Sequence, residues 1–396
     1  MTALLPLFDH TRRVYLGPKE YSEPDFSYLD RSVRPPFARI RSTLESWFAK
    51  YPADAAVDLR ERFRSDRNEQ HQGAFFELVC HQMLKRLGCR VAVSVNAGAT
   101  ERIPDFLVTS PAGFKFYFEA TIAAEPYEMR PSKLVDQIVD AINTRVKSAD
   151  YFLLLDDDGE LDQLPPVGNL CTRIQGWLAQ LEYDKVYASR DNYGHLPKFR
   201  FRHQSWTLFV NALPCSPESR GAPLDRIVGS PPSTGGFTSF SAPIRTSVHK
   251  KGTHYGELEF PFVVAINEMQ AGTPHRDIIE ALFGKLEYRW AQDSSGHVVQ
   301  LPPRRQRNGA FLGPEGPRLT SVSSLLVFGH LVPWNLSTAK LRLYKNLFAQ
   351  SPSPFIMDQF PRADVGDGNY ILRRGRGLAS VLGLPKDWPG FSDDEE

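Results

Sequence analysis

The sequence predicts an α/β fold: a mixed central β-sheet flanked by helices, with a helical N-terminal extension and an elaborated C-terminal half. Three observations predict it. Residues 66–88 carry Phe76, Val79, Cys80, Met83, Leu84 and Leu87 as one stripe at helical spacing, stopped by Gly88. Residues 90–95 alternate Val91, Val93 and Val95, the period of a strand. Two apolar, aromatic and β-branched runs, 102–109 and 114–121, then flank Ser110-Pro-Ala-Gly113, which reads as strand, tight turn, strand.

Residues 1–65 form the extension. Prolines, glycine and mixed charge make 15–36 an irregular coil. A helix is expected over 35–51, where Phe37, Ile40, Leu44 and Phe48 recur at helical spacing and Pro35 and Pro36 suit the first turn. A second, shorter helix covers 53–63. Arg39, Arg41, Arg60, Arg62 and Arg64 read as a solvated helix face.

The core spans 66–213. After the hairpin, a helix is expected over 132–148 and a buried strand over 151–155, ended by the solvated turn Asp156-Asp-Asp-Gly159. That triplet lacks the alternating ligands and terminal Glu of a calcium loop. A helix over 167–181 and a strand over 205–213 complete the core. Residues 214–256 are rich in Pro, Gly and Ser, above all at 229–236, and read as a long loop or insertion. Residues 257–396 form a C-terminal lobe and tail, open to continuing the same sheet. Strands are expected at 260–267 and 321–328, a helix at 276–283, and a loop at 302–317 holding Arg304, Arg305 and Arg307. The tail reads as irregular, with an acidic end at 392–396.

Composition narrows the function classes. The chain has 396 residues, 41% hydrophobic and 23% charged, with net charge +1, so a nucleic-acid partner needs a local basic face. Cys80, Cys89, Cys171 and Cys215 lack paired spacing, which argues against a zinc site or disulfide framework and for a reducing compartment. The first residues do not read as a signal peptide, and no run approaches the ~18 apolar residues of a membrane span. A cytoplasmic protein without membrane association is expected. There is no phosphate-cradling glycine loop, no His-Glu-x-x-His and no Gly-x-Ser-x-Gly.

The hairpin carries the chemistry. With Ser110 facing Phe114, counting outward sets Asp105 opposite Glu119, with Cβ atoms about 4.5–5.5 Å apart. Two carboxylates so placed repel, and Mg²⁺, a hard ion that takes carboxylate oxygen, would relieve them. The plainer alternative is a pair of strand-end acids, which a slip of one residue would put on opposite faces.

Helix with Glu77, strand, Pro104-Asp105, turn, strand ending Glu119-x-Thr121, then helix: this order resembles the PD-(D/E)xK nuclease superfamily, the restriction-endonuclease-like fold, over roughly residues 66–155. The resemblance implies that Glu77, Asp105 and Glu119 hold one or two Mg²⁺ (or Mn²⁺) ions for phosphodiester hydrolysis of nucleic acid, expected to be DNA. The superfamily's habits point to bacterial defence. Its lysine, two residues after the second acid, is Thr121 here. Gln137 or Lys133 on the next helix is the expected stand-in. Arg304, Arg305 and Arg307 would hold the nucleic-acid backbone. Double-strand cutting would require a homodimer or a partner protein. Two other readings stay open: a catalytically decayed scaffold that binds nucleic acid or assembles with partners, and a scaffold whose loops at 214–256 and 302–317 bind protein.

Overall fold

A computed structural model describes residues 5–93, 104–123, 133–222, 224, 226–228, 241–252, 258–269, 274–292, 294–366 and 368–391. The expected end of the first strand at 94–95, the start of the hairpin at 102–103, the first residue of the helix at 132, the 229–236 run and the acidic end lie outside these residues. The chain divides into two units: residues 1–17, 24–125 and 239–396, and residues 18–23 and 126–238.

The first unit opens with helices α1 (Asp25–Arg31), α2 (Pro35–Phe48), α3 (Ala53–Phe63) and α4 (Asn68–Arg86). Helix α1 replaces the coil expected at 15–36. Seven residues are too few to be helical on propensity; tertiary contacts hold it, with Asn68 accepting from the Asp25 amide and Gln72 donating to its carboxylate. Pro35 occupies the first turn of α2, as its missing N–H allows. Phe75, Phe76, Leu78, Val79, Met83 and Leu84 of α4 are fully buried, so this helix is enclosed on several sides. Gly88, at φ +81°, ends it.

Strands β1 (Arg90–Val93), β2 (Phe106–Thr109) and β3 (Lys115–Ala123) form an antiparallel meander. The chain then leaves for the second unit. There α5 (Lys133–Arg145), β4 (Tyr151–Asp158), α6 (Val167–Leu178), α7 (Tyr183–Ala188), β5 (Lys198–His203) and β6 (Trp206–Pro214) surround a three-stranded sheet of order β4-β6-β5 with its own core. Strand β4 runs through Asp156–Asp158, which corrects the expected acidic turn. Pairing with β6 continues to Asp158↔Thr207, and the Trp206 indole donates to Asp157.

Back in the first unit, α8 (Ser241–Gly252) corrects the loop expected over 214–256. It leads to β7 (Phe262–Glu268), α9 (His275–Phe283), β8 (Leu286–Gln292), β9 (Val298–Arg305), β10 (Leu312–Gly313), β11 (Gly316–Pro317) and β12 (Val322–Gly329). The β8–β9 and β10–β11 ribbons replace much of the loop expected at 302–317. The tail, expected to be irregular, supplies β13 (Lys340–Lys345), β14 (Arg362–Val365), β15 (Tyr370–Arg373) and α10 (Leu378–Leu382).

One eight-stranded mixed sheet orders these strands β1-β2-β3-β7-β12-β13-β14-β15. Strand β7 lies parallel to both β3 and β12 and is buried along its length, as central parallel strands are. Alternation splits the sheet between two cores. Phe116, Phe118, Val263, Ala265, Leu326 and Phe328 pack with α2, α3 and α4 on one face. Val264, Ile266, Leu325, Val327 and Tyr344 pack with α8 and α9 on the other. Among the described residues, no helix is long and apolar enough to cross a membrane.

Candidate active site

The β2–β3 hairpin closes through the Ser110 amide, which donates to the Phe114 carbonyl at 2.8 Å, and its register runs from Thr109↔Lys115 to Phe106↔Phe118. One residue further out, Asp105 therefore lies opposite Glu119, as the turn count requires. Asp105 is the residue just before the first residue of β2. Its amide donates to Glu119 Oε2 at 3.1 Å, and its Oδ2 accepts from the Ala120 amide at 2.8 Å. Each acid is thus tied to the other's strand.

Glu119 is 1% exposed and shares its strand face with Tyr117 and Thr121, the face covered by α8 and α9. The Lys251 ammonium donates to Glu119 Oε1 and forms an ion pair with it. Ile244, Val248 and Lys251 stand at i, i+4 and i+7 of α8, and the first two are fully buried in the core beneath the helix. Helical periodicity thus points Lys251 at the sheet along with them.

Glu77 lies on α4 and is enclosed differently. The Tyr51 hydroxyl donates to its Oε1 at 2.6 Å, and Arg62 reaches its Oε2 at 2.9 Å while also pairing with Asp58 at 2.7 Å. Burial first, then Glu119 and Glu77, hold the Asp105 carboxyl well above the usual carboxylate range. Burial, then Asp105 and Glu77, push up the Cys80 thiol. The three acids share one electrostatic neighbourhood.

The structure thus brings Asp105 and Glu119 together, with Glu77 near enough to act on Asp105. Both Glu77 oxygens already carry hydrogen bonds. Thr121 lies two residues beyond Glu119 on the same face, opposite Ile266 of β7. Lys133 and Gln137 lie on α5 in the second unit, where Val135, Ile138, Val139 and Ile142 of that helix are buried in the unit's own core. Arg304 and Arg307 are exposed. Arg305 is buried, donating to the carbonyls of Gly366 and Gly284. That corrects the expectation for Arg305: its guanidinium braces loops, so it is withdrawn from backbone binding.

Sequence reasoning missed Lys251 and Tyr51, and its reading of Arg62 as part of a solvated face is corrected by the pair with Glu77. A signal for Lys251 was present in the spacing Ile244, Val248, Lys251, which is helical. Also missed was a cavity of about 590 Å³ on α8, lined by Arg245, His249, Lys250 and Arg318 with no acid among its described walls.

Two carboxylates facing each other fit a hard divalent ion, which is commonly held by one or two carboxylates together with water and substrate phosphate. Among the described residues no group of three or more His, Cys, Asp or Glu is assembled for a metal. No protein-family model, curated protein or solved structure matches the chain.

Proposed function

We propose that this protein is a metal-dependent phosphodiesterase acting on nucleic acid, with DNA as the first substrate to test. The observation that carries the reading is the hairpin register, which sets Asp105 against Glu119 and receives a lysine ammonium on the second acid. The order α4, β1, β2, β3 with β7 added parallel to β3 supports a restriction-endonuclease-like core. In this reading the second unit is inserted in the chain after β3, and α8 is the helix that follows the acids.

Asp105 and Glu119 would hold Mg²⁺ or Mn²⁺, which supplies a lowered pKa for water and a clamp on the phosphate. Glu119 aims the Lys251 ammonium, the positive donor suited to charge building on a phosphoryl oxygen. Thr121 contributes only a hydroxyl. Glu77 is a positioning residue: Tyr51 and Arg62 fix it, and its charge acts on Asp105. With its carboxyl raised by burial and the neighbouring acids, Asp105 would hold a cation in competition with a proton, so metal affinity should increase with pH. Arg245, Lys250 and Arg318 line a basic cavity on the outer side of α8 and offer phosphate contacts there. Arg289, Arg304 and Arg307 line a second basic cavity, suited to phosphates. The four free, buried cysteines support a cytoplasmic setting.

A second reading, a nucleic-acid-binding protein on a catalytically silent scaffold, draws on Thr121 and on the closure of Glu77. Single-turnover nicking of supercoiled plasmid with Mg²⁺ or Mn²⁺ separates the two. The proposal expects wild-type nicking that chelation and Glu119→Ala abolish. Wild type equal to Glu119→Ala, together with salt-sensitive gel retardation, would leave only the binding protein.

A further inference from the structure

The three-stranded sheet of the second unit has one face with a packed core and one without. Strand alternation puts Leu153, Leu155, Phe201, Leu208, Val210 and Ala212 on the first face, all buried in the unit's own core. The other face carries rows of residues that oppose one another across β4, β6 and β5. Leu154 stands in line with Asn211 and Lys198, Asp156 with Phe209 and Arg200, and Asp158 with Thr207 and Arg202. Leu154, Phe209 and Asn211 are half-buried, and the charged residues of these rows are exposed. Among the described residues, Leu154 and Phe209 pack against none of the hydrophobic cores.

The charges on this face are sorted by strand. Strand β4 carries Asp156 and Asp158, and β5 carries Lys198, Arg200 and Arg202. Acid and base in one row stand two strand spacings apart, about 10 Å, which is too far for an ion pair. Among the described residues none of these charges is ion-paired. Lys198 and Arg200 lie instead over the Phe209 ring, with Nζ 4.4 Å and Cζ 5.7 Å from its centroid. Cations on an edge strand are by themselves a guard against stray strand pairing. That role gives no reason for acids in the same rows of β4, nor for an aromatic ring between the two.

A face so arranged is its own complement. Turn a second copy by a half-turn about an axis along β6 and lay it on the first. Strand β5 of each copy then covers β4 of the other, so Arg200 meets Asp156, Arg202 meets Asp158 and Phe209 meets Phe209. A half-turn about the axis across the strands would set acid on acid. Two-fold symmetry repeats each contact, and the result is a charged rim around an apolar centre. We propose that this open face is the interface of a homodimer, in which a second copy of the chain covers the sheet. Aligned sheets pack about 10 Å apart, within the joint reach of arginine and aspartate side chains. The patch is small: three strands and the 8 residues of β4 span roughly 14 by 26 Å, below the area of a permanent interface. The dimer is therefore weak and reversible. The inference rests on the second unit alone and invokes neither the Asp105–Glu119 pair nor hydrolysis.

Sedimentation velocity of the full chain tests it. In low salt, wild type should pass from monomer to dimer between about 1 and 100 μM, the range of a small interface. Raising salt to about 0.5 M should shift it towards monomer. Arg200→Glu/Arg202→Glu makes both outer strands acidic, and Asp156→Lys/Asp158→Lys makes both basic. All four positions are exposed, so each chain should melt close to wild type. Alone, each should self-associate at least about tenfold more weakly than wild type. Mixed in equal amounts, the two should form a heterodimer, because acids again face bases along both strands. Mixing would not cure a folding defect. Wild type that stays monomeric at about 100 μM in low salt would overturn the proposal, as would folded variants that keep their own dimers or fail to combine. A monomeric wild type whose gel retardation of nucleic acid is lost in Arg200→Glu/Arg202→Glu would overturn it too, and would give the face to nucleic acid.

Discussion

Glu77 and Asp105 are acids of one neighbourhood with opposite surroundings. Glu77 receives a phenol on one oxygen and a guanidinium on the other. Asp105 receives a backbone amide, while burial and two neighbouring carboxylates push its proton affinity up. Their difference separates bracing from chemistry. A paired buried acid ties elements together, here α4 to Tyr51 and to Arg62 of α3. An acid left against its own kind is held at a cost that a cation would remove.

Breaking the lysine contact should have the largest effect. Lys251→Ala should lower single-turnover nicking by about 10²–10³, the usual loss for one preorganised donor, with Mn²⁺ binding by calorimetry preserved. A rate unchanged from wild type would remove Lys251 from the mechanism. Arg62→Ala comes next. It strips the cation from a buried carboxylate and should cost about 2–3 kcal/mol, read as a lower denaturant midpoint at constant m-value. No loss of stability would mean that the Glu77 pair is solvated and braces nothing.

Asp105→Asn sharpens the comparison because its sign is opposite. A carboxyl with a raised pKa takes up a proton on folding, so it costs stability above its folded pKa. That cost fades as pH falls towards its ordinary value of 3.8. The variant should therefore be more stable than wild type at pH 8, by about 1 kcal/mol, and the gap should close in acid. Millimolar Mn²⁺ should raise the melting temperature of wild type and leave that of Asp105→Asn unmoved. A variant less stable than wild type at pH 8, or an equal Mn²⁺ shift in both, would contradict the uncompensated acid.

The acid pair was legible because its cause is local. A Pro-Ala-Gly turn with Ser110 facing Phe114 fixes the register, and strand alternation does the rest. Helix α2 was legible for a similar reason, the apolar spacing of Phe37, Ile40, Leu44 and Phe48, and the shorter α3 was expected directly after it. Lys251 was hidden by distance. It meets Glu119 from 132 residues away, and composition masked the helix carrying it: α8 follows a Pro/Gly/Ser-rich stretch and bears a basic end. The same holds for sheet order. That β7 pairs with β3 is set by a crossover interrupted by an entire second unit, which no local period encodes. Helix α1 and the strand through Asp156–Asp158 escaped because tertiary partners override weak local preference.

The central claim is that the positive charge serving this acid pair comes from α8 rather than from the strand position held by Thr121. Thr121 is two residues along β3 from Glu119, about 6.6 Å at strand rise, and on the same face. A lysine placed there should take over when Lys251 is removed. The direct test is single-turnover nicking by Lys251→Ala and by the double variant Lys251→Ala/Thr121→Lys, with Glu119→Ala as the inactive reference. The account predicts that the double variant recovers at least about tenfold of the rate lost by Lys251→Ala. A double variant as inactive as Glu119→Ala, beside a fully active Lys251→Ala, would contradict it.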